Sequence, residues 1–150
     1  MKIAIGSDQH GFAYKKLIME TFGLKGYEFI DMGTYDTEPV SYPGIAYKTV
    51  KKVTGGECER AILICGTGIG MGIAANKVKG AYAAVCHDVY STERAVLSNN
   101  ANVMCMGALV IGPKTAEKLT ELWLSLKFDK TSASAGKVAE IVEIESGDLK

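Results

Sequence analysis

Three features are missing from this sequence, and each absence removes a class of protein. No apolar run reaches the roughly 18 residues that a membrane-spanning helix needs. The 17 Lys and Arg residues balance the 17 Asp and Glu residues and form no basic run, so the footprint of a nucleic-acid-binding protein is lacking. Met1 leads directly into a strand-like pattern instead of a signal peptide. We therefore expect no membrane and no nucleic-acid partner.

Cysteine occurs at only four positions, and none of them belongs to a C-x-x-C pair. Three of these residues, Cys65, Cys86 and Cys105, lie in apolar segments, where a free cysteine behaves as a small hydrophobic residue. The pattern is typical of reduced thiols in a cytoplasmic protein rather than of a disulfide framework. We expect at most one of the cysteines to take part in chemistry.

What is present is the composition of a globular protein. Hydrophobic residues make up 47% of the chain and charged residues 23%. A chain of 150 residues suits one domain and buries roughly 70% of the surface that its unfolded form exposes. No linker, low-complexity tract or internal repeat interrupts the sequence, so we expect a single domain over residues 1–150.

Short apolar runs alternate with longer amphipathic stretches. Several runs are continuously apolar, as in strands that helices cover on both faces of a parallel sheet. The alternation predicts an α/β fold, a three-layer α/β/α sandwich around a five-stranded, parallel, Rossmann-like sheet. The predicted strands are residues 2–6, 27–32, 61–65, 81–86 and 102–106, and the predicted helices include 44–54, 70–78, 90–99, one that opens at Pro113, and 134–145.

Helical periodicity also predicts which side chains are buried. In the first helix, the apolar face consists of Tyr14, Leu17, Ile18 and Phe22, with Lys15, Lys16 and Glu20 opposite. In the last helix, the predicted buried face consists of Val138, Ile141 and Val142. Ligands of such sheets bind beyond the carboxyl ends of the strands, so the loops at that edge carry the candidate site.

The most informative segment begins at Cys65, where a predicted strand runs directly into Gly66-Thr67-Gly68-Ile69-Gly70. Consecutive backbone N–H groups in such a loop can point at an anion. No Gly-Lys-Ser/Thr follows and the third glycine comes one residue early, so the segment is neither a Walker A loop nor a dinucleotide fingerprint. A thiolate beside these donors could remove a proton from carbon while the donors hold the oxyanion. The alternative is a buried cysteine that ends a strand before a tight turn.

Polar side chains follow other predicted strands. Asp8, Gln9 and His10 come after the first strand and are candidates for substrate binding, although Asp8 could also cap a helix and His10 could be a solvated loop residue. His87 follows the fourth strand, but no pair of ligands has the spacing of a metal site, so no metal is predicted. Asn99 lies at a polar helix end, where it could cap the helix or bond a sugar hydroxyl.

These segments resemble the ribose-5-phosphate isomerase B and galactose-6-phosphate isomerase family along essentially the whole chain. The most specific motifs are residues 64–70 followed by Ala74-Ala75-Asn76-Lys77, and Asn99-Asn100-Ala101-Asn102. The other matching motifs are Ile5-Gly6-Ser7-Asp8, Gly26-Tyr27-Glu28, Asp31-Met32-Gly33-Thr34, Ser41-Tyr42-Pro43 and Gly55-Gly56-Glu57. The resemblance implies aldose–ketose isomerisation through an enediolate, without metal or cofactor, in a homodimer whose active sites combine residues of both subunits.

The resemblance also implies roles for individual residues. By position, Cys65 matches the family's proton-abstracting base, and Thr67 matches the hydroxyl that moves a proton between the two oxygens. The backbone of the loop, with Gly66, Gly68 and Gly70, matches the enediolate-binding anion hole. Asp8, Tyr42 and Asn99 match substrate-contacting positions, and the remaining candidate substrate ligands are Gln9, His10 and Lys137.

The chain departs from the family pattern at positions that open a sugar ring and bind phosphate. Gln9 stands where the family has a histidine, and Ser98 stands where it has the ring-opening histidine. The three phosphate-binding arginine positions fall on Leu109, Ser132 and Gly136. Because bidentate Arg–phosphate pairs are among the strongest polar contacts, these losses bear directly on the substrate.

Three functions are compatible with these departures. The first is an isomerase of a ribose 5-phosphate-like sugar phosphate, with Lys130 and Lys137 holding the phosphate and His10 or His87 replacing the lost acid/base. The second is an isomerase of an unphosphorylated or short, open-chain sugar. The third is a sugar-binding subunit of a hetero-oligomeric isomerase, completed by an unlike partner.

Overall fold

The computed structural model describes residues 1–148; Leu149 and Lys150, at the end of the predicted domain, lie outside this range. The strands are β1 (Lys2–Ser7), β2 (Glu28–Asp31), β3 (Arg60–Cys65), β4 (Ala83–Val85) and β5 (Val103–Gly107). The helices are α1 (Phe12–Gly23), α2 (Tyr42–Thr54), α3 (Ile69–Ala75), α4 (Val89–Leu97), α5 (Pro113–Ser125) and α6 (Ala135–Ser146). All strand pairs are parallel and the sheet order is β2-β1-β3-β5-β4, which confirms the predicted fold class.

Two separate apolar clusters cover the two faces of the sheet, because successive side chains of a strand point to opposite faces. In β3, Ile62 and Ile64 pack in one cluster with residues of α1, α4 and α5, whereas Leu63 and Cys65 pack in the other with residues of α2 and α3. The three inner strands β1, β3 and β5 are thus buried on both sides, as continuous apolar runs predict, whereas the edge strands β2 and β4 are only partly buried. None of the helices among the described residues has the length and apolar content to cross a membrane.

The last helix does not bury the predicted face. Ile141 and Val142 are 40% and 41% exposed, and no residue of α6 is buried. The other helices form the two core clusters on the faces of the sheet, and Ile141 of α6 instead lines an open pocket with Tyr82, Ala83 and Ala84 at the edge strand β4. The recorded side-chain bonds of α6 run through Glu145, which accepts from the Gly80 N–H and the Tyr82 hydroxyl. The prediction of a buried 138/141/142 face is wrong for the isolated chain.

Lys15 is the second correction, because it is fully buried instead of lying on the solvated face of α1. Its Nζ donates to Asp31 Oδ1 and to the Thr34 carbonyl oxygen, each at 2.5 Å. The spacing along the helix does indicate that Lys15 is buried. It lies three residues before Ile18 and seven before Phe22, and thus on the same buried face of α1. Lys15 was predicted to be exposed because of its residue type alone. That prediction took no account of Asp31, its acidic partner at the end of β2.

The edge strand β4 is covered by a side chain instead of a neighbouring strand. The Asn76 Nδ2 donates to the Ala83 carbonyl at 2.9 Å, and the Ala83 N–H donates to Asn76 Oδ1 at 2.7 Å. This amide reproduces the pair of bonds that a sixth strand would make, and it ends α3 at Ala75, earlier than the predicted residue 78. Asn76, part of the matching Ala-Ala-Asn-Lys motif, therefore protects a sheet edge.

Replacing Asn76 by alanine leaves two backbone groups of β4 without a protein partner. We expect Asn76→Ala to lower the free energy of unfolding by about 1–2 kcal/mol, since the two bonds are partly solvent-exposed. Chemical denaturation measures the change, with Lys77→Ala, an exposed neighbour, as the matched control. Equal midpoints for the two variants would contradict the edge-covering role.

Candidate active site

The strand order creates a crevice between β1 and β3. The chain leaves β1 outward to β2 and then returns to β3 on the other side of β1, so the connections of these neighbours diverge. Such a switch point opens a ligand-binding crevice at the carboxyl ends of the strands. The Asp8 N–H donates to the Ile64 carbonyl at 3.1 Å, which brings the turn after β1 directly beside Cys65.

Cys65 ends β3 with its sulfur under the glycine loop. The Gly68 N–H donates to Sγ at 3.1 Å, and the side chain is 5% exposed. Gly68 has φ +77°, and a Cβ there would lie 2.9 Å from the Met106 carbonyl carbon, so only glycine fits. The loop is thus pressed onto the end of β5 in a shape that aims an amide at the sulfur.

The other three cysteines are in a different situation. Burial raises the pKa of Cys58 and of Cys105, and it raises the pKa of Cys86 to about 11. These thiols therefore stay protonated at neutral pH and act as small hydrophobic groups. All four cysteines are free. Only at Cys65 does a described backbone amide donate to the sulfur, which is the partner that a thiolate needs.

The glycine loop also offers unpaired donors. Among the described residues, the N–H groups of Gly66 and Thr67 donate to no protein acceptor. Thr67 is exposed at the tip of the loop, and its Oγ1 accepts from the Ile69 N–H at 3.3 Å, which leaves the hydroxyl proton available to a ligand. Free amides and a hydroxyl donor next to a thiol form a site for an anion or a carbonyl oxygen.

Tyr42 closes one side of this crevice. It begins α2, and its ring packs against the backbone of Gly70: a Cβ on Gly70 would lie 2.7 Å from Tyr42 Cε2 and 3.0 Å from the hydroxyl oxygen. Tyr42 is 41% exposed, so part of the side chain remains accessible beside the loop. The structure therefore brings together Tyr42 and the Cys65 loop, which are 23 residues apart along the chain.

The three residues after β1 lie at the same edge. Asp8 is 6% exposed, and its Oδ1 accepts from the His10 and Gly11 N–H groups at 2.9 and 3.1 Å, so the carboxylate orders the turn before α1. Gln9 Oε1 accepts from the Val40 N–H at 3.3 Å. His10 is exposed, and its Cδ2 lies 3.8 Å from where a Cβ on Gly66 would be. The expectation that Asp8 caps the helix is wrong, because α1 has Gly11 as its N-cap and no side-chain cap bond; Asp8 orders the preceding turn at the edge of the site.

His87 supports the strand end beneath the loop. Its Nε2 accepts the Gly107 N–H at 2.9 Å, and Gly107 lies so close to the loop that a Cβ there would be 2.7 Å from Thr67 Cα. Burial lowers the pKa of His87, and the opposing charge of Asp88 only partly offsets this. The imidazole is therefore neutral at pH 7, with its lone pair used by the backbone. Among residues 1–148, no three His, Cys, Asp or Glu side chains are grouped to hold a metal ion.

Two predicted substrate ligands lie away from Cys65 in the same chain. Asn99 follows the C-terminal end of α4, at the edge of the sheet where β5 begins, and its Nδ2 donates to the Arg94 carbonyl at 3.1 Å. Lys137 is exposed on α6 and makes no side-chain hydrogen bond or ion pair with the described residues. Within a single chain, only part of the predicted set of substrate ligands therefore lies beside Cys65.

The departures from the family pattern are also visible. Leu109 is 72% exposed and lies over Gly66, 3.3 Å from where a Cβ would be, so an apolar side chain borders the loop where the family pattern has an arginine. Ser98 ends α4, and its Oγ accepts from Arg94 Nη1 at 3.3 Å. Neither replacement provides an acid/base group or a bidentate cation.

A buried thiol beneath free amides, at the switch point of a parallel sheet, defines a small-molecule site suited to carbonyl chemistry. The model of the family described as "Ribose/Galactose Isomerase" matches residues 3–141. The chain belongs to this family of sugar and sugar-phosphate isomerases, and it is an enzyme of the aldose–ketose isomerase class.

Relatives and solved structures match over nearly the full chain. A D-erythrulose-4-phosphate isomerase 2 of Mycolicibacterium smegmatis is 48% identical over 149 residues, with 97% of each chain covered. A ribose-5-P isomerase B of Listeria innocua is 48% identical over 145 residues, again with 97% of each covered. The solved ribose-5-phosphate isomerase B of Clostridium thermocellum is 42% identical and superposes with a TM-score of 0.94 over 98% of this chain and 99% of that one.

The contact between Gly70 and Tyr42 gives a direct test of the crevice. A Cβ at position 70 pushes the Tyr42 ring away, so we expect Gly70→Ala to lower kcat/KM about tenfold or more, the scale of a misplaced binding group. Gly44→Ala is the matched control, because a Cβ there meets nothing within 4 Å on the same helix as Tyr42. Steady-state isomerase kinetics compare the two; equal effects would show that the ring has no role at the site.

Proposed function

We propose that this protein interconverts the aldose and ketose forms of a short, open-chain sugar phosphate, with Cys65 as the base. The observation that carries the proposal is the placement of Cys65 Sγ under the Gly68 amide, beside the free N–H groups of Gly66 and Thr67. A base and oxyanion donors side by side are what removal of a proton next to a carbonyl requires.

The proposed reaction begins with transfer of the C2 proton of the aldose to the Cys65 thiolate. The electron pair of the C–H bond becomes the C1=C2 double bond and the π pair of the carbonyl moves to O1, which gives an enediolate held by the loop amides. The Thr67 hydroxyl then carries the proton of O2 to O1. Cys65 returns its proton to C1 as the C2 carbonyl forms, so no proton or electron is lost. Each amide donor contributes about 3 kcal/mol to stabilisation of the enediolate.

The length of the substrate follows from ring chemistry. An aldotetrose 4-phosphate has its O4 esterified, so it cannot close a five-membered ring and needs no ring-opening acid. Ribose 5-phosphate keeps O4 free and does close. Ser98 stands where the resemblance places the ring-opening histidine, and it bonds Arg94 instead. This supports a four-carbon substrate, and the relative from M. smegmatis is a D-erythrulose-4-phosphate isomerase.

The site is proposed to be completed by a second copy of the chain. Asn99 and Lys137 lie away from Cys65 in one chain, and a partner can deliver both, with Lys137 toward the phosphate. Exposed apolar side chains on α3, at the start of α4, after β5 and on α6 support such a partner. They are Ile69, Ile73, Val89, Tyr90, Leu109, Val110, Ile141 and Ile144. Four free thiols fit a cytoplasmic enzyme.

Replacing the base tests the proposed chemistry. We expect Cys65→Ala to lower kcat by about 10²–10⁴-fold, the usual contribution of a general base. Cys58→Ala is the matched control, since both thiols are 5% exposed and only Cys65 borders the loop. Turnover is measured on erythrose 4-phosphate, ribose 5-phosphate and the two free sugars.

The substrate panel separates the functions considered above. Cys65-dependent turnover of erythrose 4-phosphate well above ribose 5-phosphate supports the proposal. A preference for ribose 5-phosphate would show that another group opens the ring, and turnover of free sugars alone would remove the phosphate from the proposal. Sugar binding without turnover by the purified protein would point to an unlike partner subunit.

Shared sites predict complementation between two inactive variants. In a mixed dimer of Cys65→Ala and Asn99→Ala chains, one site receives both changes and the other receives neither. We expect the mixture, after subunit exchange, to regain about a quarter of wild-type activity, because about half of the dimers are mixed. Activity that stays at the level of the separate variants would show that Cys65 and Asn99 serve the same chain or that Asn99 has no role.

A further inference from the structure

The buried ion pair between Lys15 and Asp31 lies outside the reacting groups, yet it joins α1 to the segment that leads toward Tyr42. The Lys15 ammonium is 0% exposed and Asp31 is 29% exposed, with Nζ and Oδ1 2.5 Å apart. The Phe12 and Tyr35 rings lie 5.7 and 5.1 Å from Nζ. A buried ammonium is costly unless its donors are used, and here the carboxylate and a carbonyl use them.

The second acceptor of Lys15 is the backbone of the segment after β2, residues 32–41. Nζ donates to the Thr34 carbonyl, while Asp31 Oδ1 also accepts the Gly33 N–H at 2.9 Å. Of residues 33–42 only Gly33 and Thr34 are buried, so the rest of the segment has little packing of its own. The Lys15 bonds are therefore the side-chain anchor at the start of this segment, beside the backbone bonds that join it to β1.

From this anchor the hydrogen bonds continue to the site. The Thr34 N–H donates to the Ser7 carbonyl, and the Ser7 N–H donates to the Gly33 carbonyl, both at 2.6 Å. Ser7 precedes Asp8, whose N–H bonds the Ile64 carbonyl next to Cys65. At its far end, the same segment bonds Gln9 through the Val40 N–H and then enters α2 at Tyr42.

We propose that Lys15 is a positioning residue for substrate binding: its buried bonds to Asp31 and Thr34 hold residues 32–41, and through them Asp8, Gln9 and Tyr42, in the binding geometry. The proposal rests on the proposed function for its effect on catalysis. The Cys65 loop is held independently, by Gly68 against Met106 and by Thr67 against Gly107. Loss of the anchor therefore weakens substrate binding more than the chemical step.

The test compares Lys15→Met with the double variant Lys15→Met/Asp31→Asn. The single change leaves a carboxylate without its cation and lowers stability, whereas the double change removes that charge and keeps an acceptor for the Gly33 N–H. Lys16→Met is the control, because Lys16 is the exposed neighbour and also lies 5.7 Å from the Phe12 ring. Amide hydrogen exchange, thermal unfolding and steady-state kinetics are measured on all three variants.

We expect the double variant to recover thermal stability but to exchange amides of residues 32–42 at least tenfold faster than wild type, with the Cys65 loop unchanged. Its KM is expected to stay raised at least tenfold while kcat changes less than threefold. If the exchange rates and the KM of the double variant return to wild-type values together with its stability, Lys15 has only a structural role and the proposal is overturned. Failure of both variants to fold would overturn it as well.

The two readouts keep this proposal distinct from the proposed function. Hydrogen exchange tests the anchoring of residues 32–42 whether or not the protein turns over any sugar. A wild-type protein without isomerase activity, but with faster exchange in the double variant, contradicts the proposed substrate and leaves the anchor supported. An active wild-type protein with unchanged exchange and KM in the double variant contradicts the anchor alone.

Discussion

The whole site depends on the close approach of backbone to backbone at the carboxyl ends of β1 and β3. A Cβ on Gly11 would lie 2.7 Å from the Ile64 carbonyl carbon, and one on Gly6 would lie 2.5 Å from Thr49 Oγ1 in α2. Without side chains at these positions, the turn after β1 packs on the end of β3 and α2 packs on β1. Because α2 begins with Tyr42, the same close packing brings its ring onto Gly70.

The position of Cys65 at the last residue of a buried strand explains how one thiol can differ from three others of similar burial. Its side chain belongs to the core on the α2 and α3 side, which fixes the sulfur, yet the chain turns immediately afterwards and exposes the loop amides. Cys105 lies within β5 and Cys86 directly follows β4; both side chains are buried, so desolvation raises the thiol pKa, and no described amide donates to either sulfur. The role proposed for Cys65 thus depends on where its strand stops.

The sequence predicted the parallel sheet and the glycine loop at the end of β3, because apolar runs and glycine-rich strand ends are local signals. It did not predict the exposure of Ile141 and Val142, since periodicity shows that a helix has an apolar side but not whether the same chain covers it. It also placed Lys15 in solvent, because a buried cation is recognised only with its partner, and Asp31 is 16 residues away. The covering of β4 by Asn76 was equally hidden, as side-chain mimicry of a strand leaves no periodic pattern.

The positions that match the family pattern and those that depart from it differ in how the fold holds them. The proposed base and oxyanion donors are fixed by backbone contacts of the fold, so a change at Gly68 or Gly107 displaces the strand ends themselves. The positions that depart from the family pattern are 9, 98, 109, 132 and 136, and none of them is buried. Their side chains can change without disturbing the core. In this chain the proposed reacting groups are therefore held by packing of the fold, whereas the positions that depart from the family pattern lie where a side chain can be exchanged without disturbing that packing.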